Sequence, residues 1–350
     1  METLKLLRRV SETIGITGHE EGIREVVKEL WQPFTDEFRT DALGNLIALQ
    51  KGSGQAPRPG LMVAAHMDEI GFIVTHIDDK GFVRFTTLGG FDPKTLTAQR
   101  VIIHGRKDVI GVMGTKPIHV MTPEERNKMP KIKDYYIDLG MSKKEVEKIV
   151  QIGDPITRER ELIEMGDCVN CKSIDNRVSV FILIETLRTM KKSAYDVYGV
   201  FTVQEEVGIR GANVAAHGID PDFGFGLDTT IAFDLPGAQP HEKVTSLGDG
   251  AAIKILDASA ICDYRMIDYM KKTADKKKIK WQPELLTAGG TDTAGIQRMG
   301  KRGAISGAVS IPTRHLHQVI EMANKKDIEA CIDLLGACLD GLDTYDWSHK

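Results

Sequence analysis

The chain has 350 residues, of which 41% are hydrophobic and 27% charged, and a formal net charge of −4. That length allows one large domain or two with a substantial core. The mild negative charge argues against a general nucleic-acid or anionic-membrane binder, and no stretch approaches the ~18 unbroken apolar residues of a membrane-spanning helix.

The opening residues, from Met1 to Arg9, have no long apolar core and no small-residue cleavage site. They read as a charged amphipathic helix rather than a signal peptide. Leu4, Leu7, Val10 and Ile14 predict a helix over residues 3–14. Thr17 with Glu20 has the form of a capping box, which should open a second helix with Ile23, Val26, Val27, Leu30 and Phe34 on one face. A short strand is expected at 45–49 and a polar Gly/Pro loop at 52–60. Leu61-Met62-Val63-Ala64-Ala65 is a compact apolar run that stops at His66, with Asp68 just beyond. A buried strand ending in polar residues is the pattern of an open α/β sheet, which places ligands beyond the carboxyl ends of its strands.

From about 71 to 166 the texture changes to short alternating strands, such as 82–85 and 100–104, separated by glycine turns. Ser142 with Glu145 should cap a short helix through Val150. This reads as a β-rich insertion with the shape of a small barrel or sandwich. After Ser173 the α/β pattern returns. A helix carries Val178, Phe181, Ile182, Glu185 and Leu187, and an apolar strand over 197–203 runs to Glu205 and Glu206. A second strand, 223–227, ends at Asp228; 251–256 and 303–309 are two more, and a helix closes the chain over 325–342. Five cysteines are too few for a disulfide framework, so a reducing cytoplasm is the simplest setting. Cys168 and Cys171 have half the spacing of a zinc site, but no second pair lies nearby, so they read as ordinary thiols.

His66, Glu205/Glu206 and Asp228 thus each follow an apolar run, Asp175 precedes a helix, and His317 follows the 303–309 run. In a mostly parallel sheet these positions share one edge. Two histidines with carboxylates suit zinc, cobalt or manganese rather than calcium. Five ligands are too many for one tetrahedral ion and suit two ions ~3.5–4 Å apart. Because neighbouring strand residues point to opposite sides, Glu205 and Glu206 are expected to divide into a base and a ligand. Thr291 and Asp292, in a Gly-Gly-Thr-Asp loop, are candidates for the substrate pocket as much as for an ordinary turn.

The segments Ala65-His66-Met67-Asp68-Glu69-Ile70-Gly71, Ser173-Ile174-Asp175-Asn176-Arg177, Val203-Gln204-Glu205-Glu206-Val207-Gly208, Gly226-Leu227-Asp228, Gly289-Gly290-Thr291-Asp292 and Ile311-Pro312-Thr313-Arg314-His315-Leu316-His317 occur in that order. Together they resemble the signatures of the tetrahedral and glutamyl aminopeptidases, metallopeptidase family 42, some of whose members carry an endoglucanase label. The resemblance spans essentially the whole chain. It implies an α/β fold, a mixed sheet flanked by helices of zinc-peptidase type, in a catalytic domain made of 1–69 and 166–350. A barrel-like domain for dimerisation and assembly would be inserted at 70–165.

Carried over, the resemblance implies release of N-terminal residues from short peptides with two divalent ions, Zn2+ or Co2+ and also Mn2+. Asp175 would bridge the ions, His66 and Asp228 would complete one site, and Glu206 and His317 the other. Glu205 would be the general base acting on the bridging water, and Asp68 would orient the His66 ring. A cis peptide at Asp175-Asn176 is also implied, as is assembly of dimers into a hollow homo-dodecamer. Here His315 replaces the family's usual tyrosine and Gln318 its serine or threonine; register favours His317 as the ligand. A related metal-dependent amidase or carboxypeptidase, and a catalytically idle metal-binding assembly protein, stay open as alternatives.

Overall fold

The computed structural model describes residues 2–191 and 193–349, so Met1 of the N-terminal segment lies outside the described residues. Its backbone is a large mixed sheet of eleven strands and a separate closed barrel of six. Four central strands, Asp196–Thr202, Gly60–His66, Phe223–Ile231 and Ile305–Arg314, pair in parallel. Antiparallel strands flank them: Leu46–Gln50 and Glu37–Thr40 on one side, Glu321–Asn324, Cys168–Cys171 and Ile163–Met165 on the other. The result is a mixed α/β sheet.

The central strands are buried almost throughout because both faces are covered, and successive side chains alternate between the two faces. Leu61, Val63 and Ala65 join the main core beneath the helices Glu2–Glu12, Glu21–Trp31, Ile174–Thr189 and Lys325–Gly341. Met62 and Ala64 join a smaller cluster with Ala215 and Ala216 of the helix Arg210–Ile219 and Ile296 of the helix Asp292–Met299. The last of these helices lies very close to the sheet. A Cβ at Gly224 would stand 2.1 Å from Ile296 Cγ2, and one at Gly226 2.1 Å from Thr293 Oγ1. Only glycine permits that approach, which brings Asp292 against the end of the Asp196–Thr202 strand.

The helix Ile174–Thr189 is buried at every residue from Ile174 to Leu187. It is therefore buried all round rather than amphipathic, a central element wrapped by other helices. Its first turn is irregular at Asp175 and Asn176, and the peptide between them is cis.

The barrel strands are Gly71–Ile77, Val83–Leu88, Arg100–His104, Asp108–Gly114, Tyr136–Asp138 and Pro155–Arg158, closed by pairing of the first with the last. Phe72, Val83, Phe85, Val101, Ile103, Met113, Ile137 and Ile156 fill it. Of the two shapes open to the sequence, the barrel is the one formed. Ser142 and Glu145 do form a capping box, but its helix, Lys143–Val146, is a single turn.

The Thr17–Glu20 capping box is not formed. Thr17 Oγ1 donates instead to Asp68 Oδ2 at 2.8 Å, while Glu20 Oε1 accepts from the amides of Gly18 and Gln204. The Asp68 carboxylate and the Gln204 amide, both distant in sequence, outcompete a local cap. The buried face of that helix is Ile23, Val27 and Trp31, and Phe34 is exposed. All five cysteines are free. No helix among the described residues is long and apolar enough to cross a membrane.

Candidate metal centre

His66 is the last residue of the Gly60–His66 strand. Asp228 was expected at a strand end but lies inside Phe223–Ile231, one residue past its last pairing with the shorter neighbouring strand, Leu227 to Ala65. It runs on to Ile231 because Ile305–Arg314 continues beside it.

The tandem glutamates are not strand residues either. The Asp196–Thr202 strand ends at Thr202, and Gln204 takes a left-handed conformation, φ +54°. Four successive amides beyond the strand are each held by a buried side-chain oxygen. Val203 N donates to Asn45 Oδ1 at 3.0 Å, Gln204 N to Glu20 Oε1 at 3.2 Å, Glu205 N to Asp68 Oδ1 at 3.0 Å and Glu206 N to Asp68 Oδ2 at 3.3 Å. Glu205 and Glu206 are thus divided by a turn locked from behind rather than by strand alternation.

The five expected ligands come together in two overlapping groups. Ligand atoms of His66, Asp175 and Asp228 all lie within 4.8 Å of one another, and so do those of Asp175, Glu206 and His317. His66 Nε2 stands 3.3 Å from Asp175 Oδ1 and 3.6 Å from Asp228 Oδ1. His317 Nε2 stands 3.5 Å from both Asp175 Oδ2 and Glu206 Oε2. Asp175 faces both groups, one oxygen to each. Glu205 belongs to neither group, yet its Oε2 is 3.8 Å from His66 Nε2.

Each imidazole is oriented from its far side. His66 Nδ1 faces the Asp68 carbonyl at 3.1 Å and Asp68 Oδ1 at 3.4 Å. His317 Nδ1 faces the Gly90 carbonyl at 2.9 Å, a contact supplied by the loop that follows the barrel strand Val83–Leu88. Such partners fix the tautomer and leave Nε2 for a ligand role.

The donor set fits cations. Asp175 Oδ1 is buried and accepts no hydrogen bond. Burial, with the charges of Asp228, Glu206 and Asp292, pushes Glu205 well above the usual carboxylate range. Burial and Asp175 push Glu206 up to about 8. Asp228 is also raised, chiefly by burial. Burial disfavours protonated His317, but Asp175 and Glu206 outweigh it and lift its pKa to about 10. Carboxylates that repel one another in a desolvated cleft, with imidazole nitrogens facing them, suit divalent ions with N and O preference.

The cluster opens into a cavity of about 610 Å3. Thr291 lines it, but Asp292 does not: it is buried beneath, accepting a hydrogen bond from Thr202 Oγ1. Burial and Asp228 raise its pKa to about 7 against the opposing pull of His66 and Thr202. Lys254, absent from the sequence candidates, reaches the cavity floor, with Nζ 3.1 Å from both Asp257 Oδ2 and Glu284 Oε1. Asn45, Glu20 and Glu321 were missed too. Their only sequence signal is a polar residue inside or beside an otherwise apolar element.

A mixed sheet that gathers histidines and acids at the carboxyl ends of its parallel strands, beside an open cleft, defines a hydrolase of the metallopeptidase kind. The chain belongs to the M42 glutamyl aminopeptidase family, whose profile matches residues 44–334. A lysyl aminopeptidase of Pyrococcus furiosus is 32% identical over 98% of this chain and 99% of its own length. An aminopeptidase of Desulfurococcus kamchatkensis superposes with a TM-score of 0.93 at 35% identity, over 97% of this chain and 94% of that one. The TET1 peptidase of Pyrococcus horikoshii, described as assembling into a tetrahedron or a large octahedral shell, has a TM-score of 0.86 at 30% identity, over 96% and 99%. The protein is an aminopeptidase, a hydrolase of peptide bonds, and its family implies divalent metal ions.

Proposed function

We propose that the protein removes N-terminal residues from short peptides with two divalent ions, held by His66 and Asp228 on one side and Glu206 and His317 on the other, with Asp175 shared. The sharing carries the reading: one buried carboxylate offers an oxygen to each of two ligand groups. Zinc, cobalt or manganese bound there would supply Lewis acidity, polarising the scissile carbonyl and acidifying water.

The chain's own residues do the rest. Glu205 takes a proton from water and delivers it to the leaving amine. Asp68 sets the His66 ring and, through the amides of Glu205 and Glu206, the spacing of base and ligand. The carboxylates around the cleft neutralise the terminal ammonium of the peptide, which selects free N-termini. Thr291, which lines the cavity, would contact substrate, and Asp292 would support it from behind.

The test pairs chelation with substrate choice. Dialysis against a chelator should abolish hydrolysis of aminoacyl anilides, and cobalt or zinc should restore it; an active metal-free protein would sink the metal reading. N-acetylated substrates should be about 10- to 100-fold poorer in kcat/KM, the worth of one charge-assisted hydrogen bond. Equal cleavage would point to an amidase instead.

In this reading 1–69 with 166–350 is the catalytic domain and 70–165 the assembly domain, working in a reducing cytoplasm as a homo-oligomer of dimers up to a dodecamer. The barrel strand Asp108–Gly114 turns Ile110 and Val112 to solvent, 59% and 50% exposed, and Ile118 and Val120 follow, also exposed. An apolar row of this kind marks a contact surface. The double variant Ile110→Asp/Val112→Asp should shift the protein to smaller species in light scattering after gel filtration. An unchanged mass would remove this strand from the assembly surface.

A further inference from the structure

Glu321 belongs to no ligand group, yet it touches the backbone of two residues that do. It begins the Glu321–Asn324 strand and has no exposed surface. Its Oε2 accepts the Asp175 amide at 2.9 Å, and its Oε1 accepts the His317 amide at 2.9 Å. The carboxylate is thus a two-pronged clamp across the residue that faces both groups and the histidine of the second.

The two clamped residues do not depend on it equally. Asp175 stands at the head of a helix buried from Ile174 to Leu187, and the next side chain, Asn176, donates to the Leu227 carbonyl at 2.9 Å. His317 sits in a loop where both His315 and His317 are left-handed, φ +61°, a conformation that non-glycine residues adopt only when held. It is held by the Glu321 carboxylate on its amide and the Gly90 carbonyl on its ring. Glu321 itself is anchored: it pairs with Cys171, and Asn170 Nδ2 donates to the Ile320 and Glu321 carbonyls at 2.6 and 3.0 Å.

We propose that Glu321 is a positioning residue for the second cation, setting the His317 backbone so that Nε2 meets Asp175 and Glu206. The residue type follows from the partners. Two converging N–H groups require two acceptor oxygens, and glutamine would turn an NH2 donor toward one of them. The effect acts through His317, so the ion shared by His66 and Asp228 is the one that remains.

This inference rests on the two-ion reading, and the experiment separates the two. Chelator-treated wild type, Glu321→Gln, Glu321→Asp and His317→Ala are titrated with Co2+, following absorption and bound metal, with the melting temperature of each metal-free protein measured alongside. Wild type should take up two ions; fewer would overturn the two-ion reading itself. Glu321→Gln should keep one binding step unchanged and weaken the other about 10- to 100-fold, the usual cost of losing an outer hydrogen-bond partner. Its remaining one-ion spectrum should match that of His317→Ala. Two unchanged steps, or two steps weakened together with a lowered melting temperature, would overturn the role given to Glu321. Should Glu321→Gln fail to fold, Glu321→Asp bears the same test, since it keeps charge and acceptors but withdraws them by one methylene.

Discussion

Replacing Glu205 with Gln should lower kcat by roughly 10²–10⁴-fold, the usual contribution of a general acid–base group, while the protein still binds two ions per chain. Glu205 lies outside both ligand groups, and its backbone amide is held by Asp68. The amide side chain is the same size, so the turn and the ligands keep their places and only the capacity to carry a proton is lost. Glu206→Gln is the natural counterpart. Its Oε2 faces His317 and Asp175 belongs to the same group, so its loss should appear first in metal content. Metal analysis and steady-state kinetics on both variants decide the assignment. Full turnover by Glu205→Gln, or loss of an ion from it, would exchange or abolish the two roles.

The separation of Glu205 from the ligand group of Glu206 was expected from the sequence for a reason that turned out to be incomplete. Strand alternation predicts opposite faces for adjacent residues, but the strand stops at Thr202 and the chain is bent by left-handed Gln204. The separation survives because Asn45, Glu20 and Asp68 hold each amide of the turn. Those three residues come from segments far away in sequence, and no local pattern announces their hold on the turn. Glu20 was misread for the same reason: as a local cap it competes with the Gln204 amide, and tertiary contact wins.

Central apolar runs were readable because a strand buried on both faces must be apolar throughout. The gathering of His66 and Asp228 at one edge followed from parallel pairing. The acids that only support the site, such as Glu321 beneath His317 and Asp292 beneath the cavity wall, were harder. A buried carboxylate in a strand or at a helix start looks in sequence like an exposed one, and only the fold shows what it holds.

Arg177→Met should cost about 3–5 kcal/mol of stability, as expected when one member of a buried, hydrogen-bonded charge cluster is removed. Its guanidinium has no exposed surface and is almost fully used. Nε donates to the Met67 carbonyl at 2.7 Å, Nη1 to those of Val10 and Thr13 at 2.7 Å each, and Nη2 to that of Gly15 at 3.1 Å. It also lies 3.5 Å from Glu69, which in turn binds Lys172 Nζ at 2.6 and 2.5 Å. Methionine fills much of the volume, so the loss comes from carbonyls left without donors. Arg177→Lys should recover little, because one ammonium with three donors cannot span carbonyls on two separate segments. Denaturant unfolding of the chelator-treated proteins is the measurement, since bound metal would add its own stabilisation. A loss below about 1 kcal/mol, the worth of one ordinary hydrogen bond, would show that the N-terminal segment and the Met67 turn are held by other contacts. The position matters for the site as well as for the fold. Met67 lies between His66 and Asp68, and Arg177 is two residues from Asp175. One guanidinium therefore ties the segments of His66 and Asp175 together, and a folded variant should also bind divalent ions more weakly.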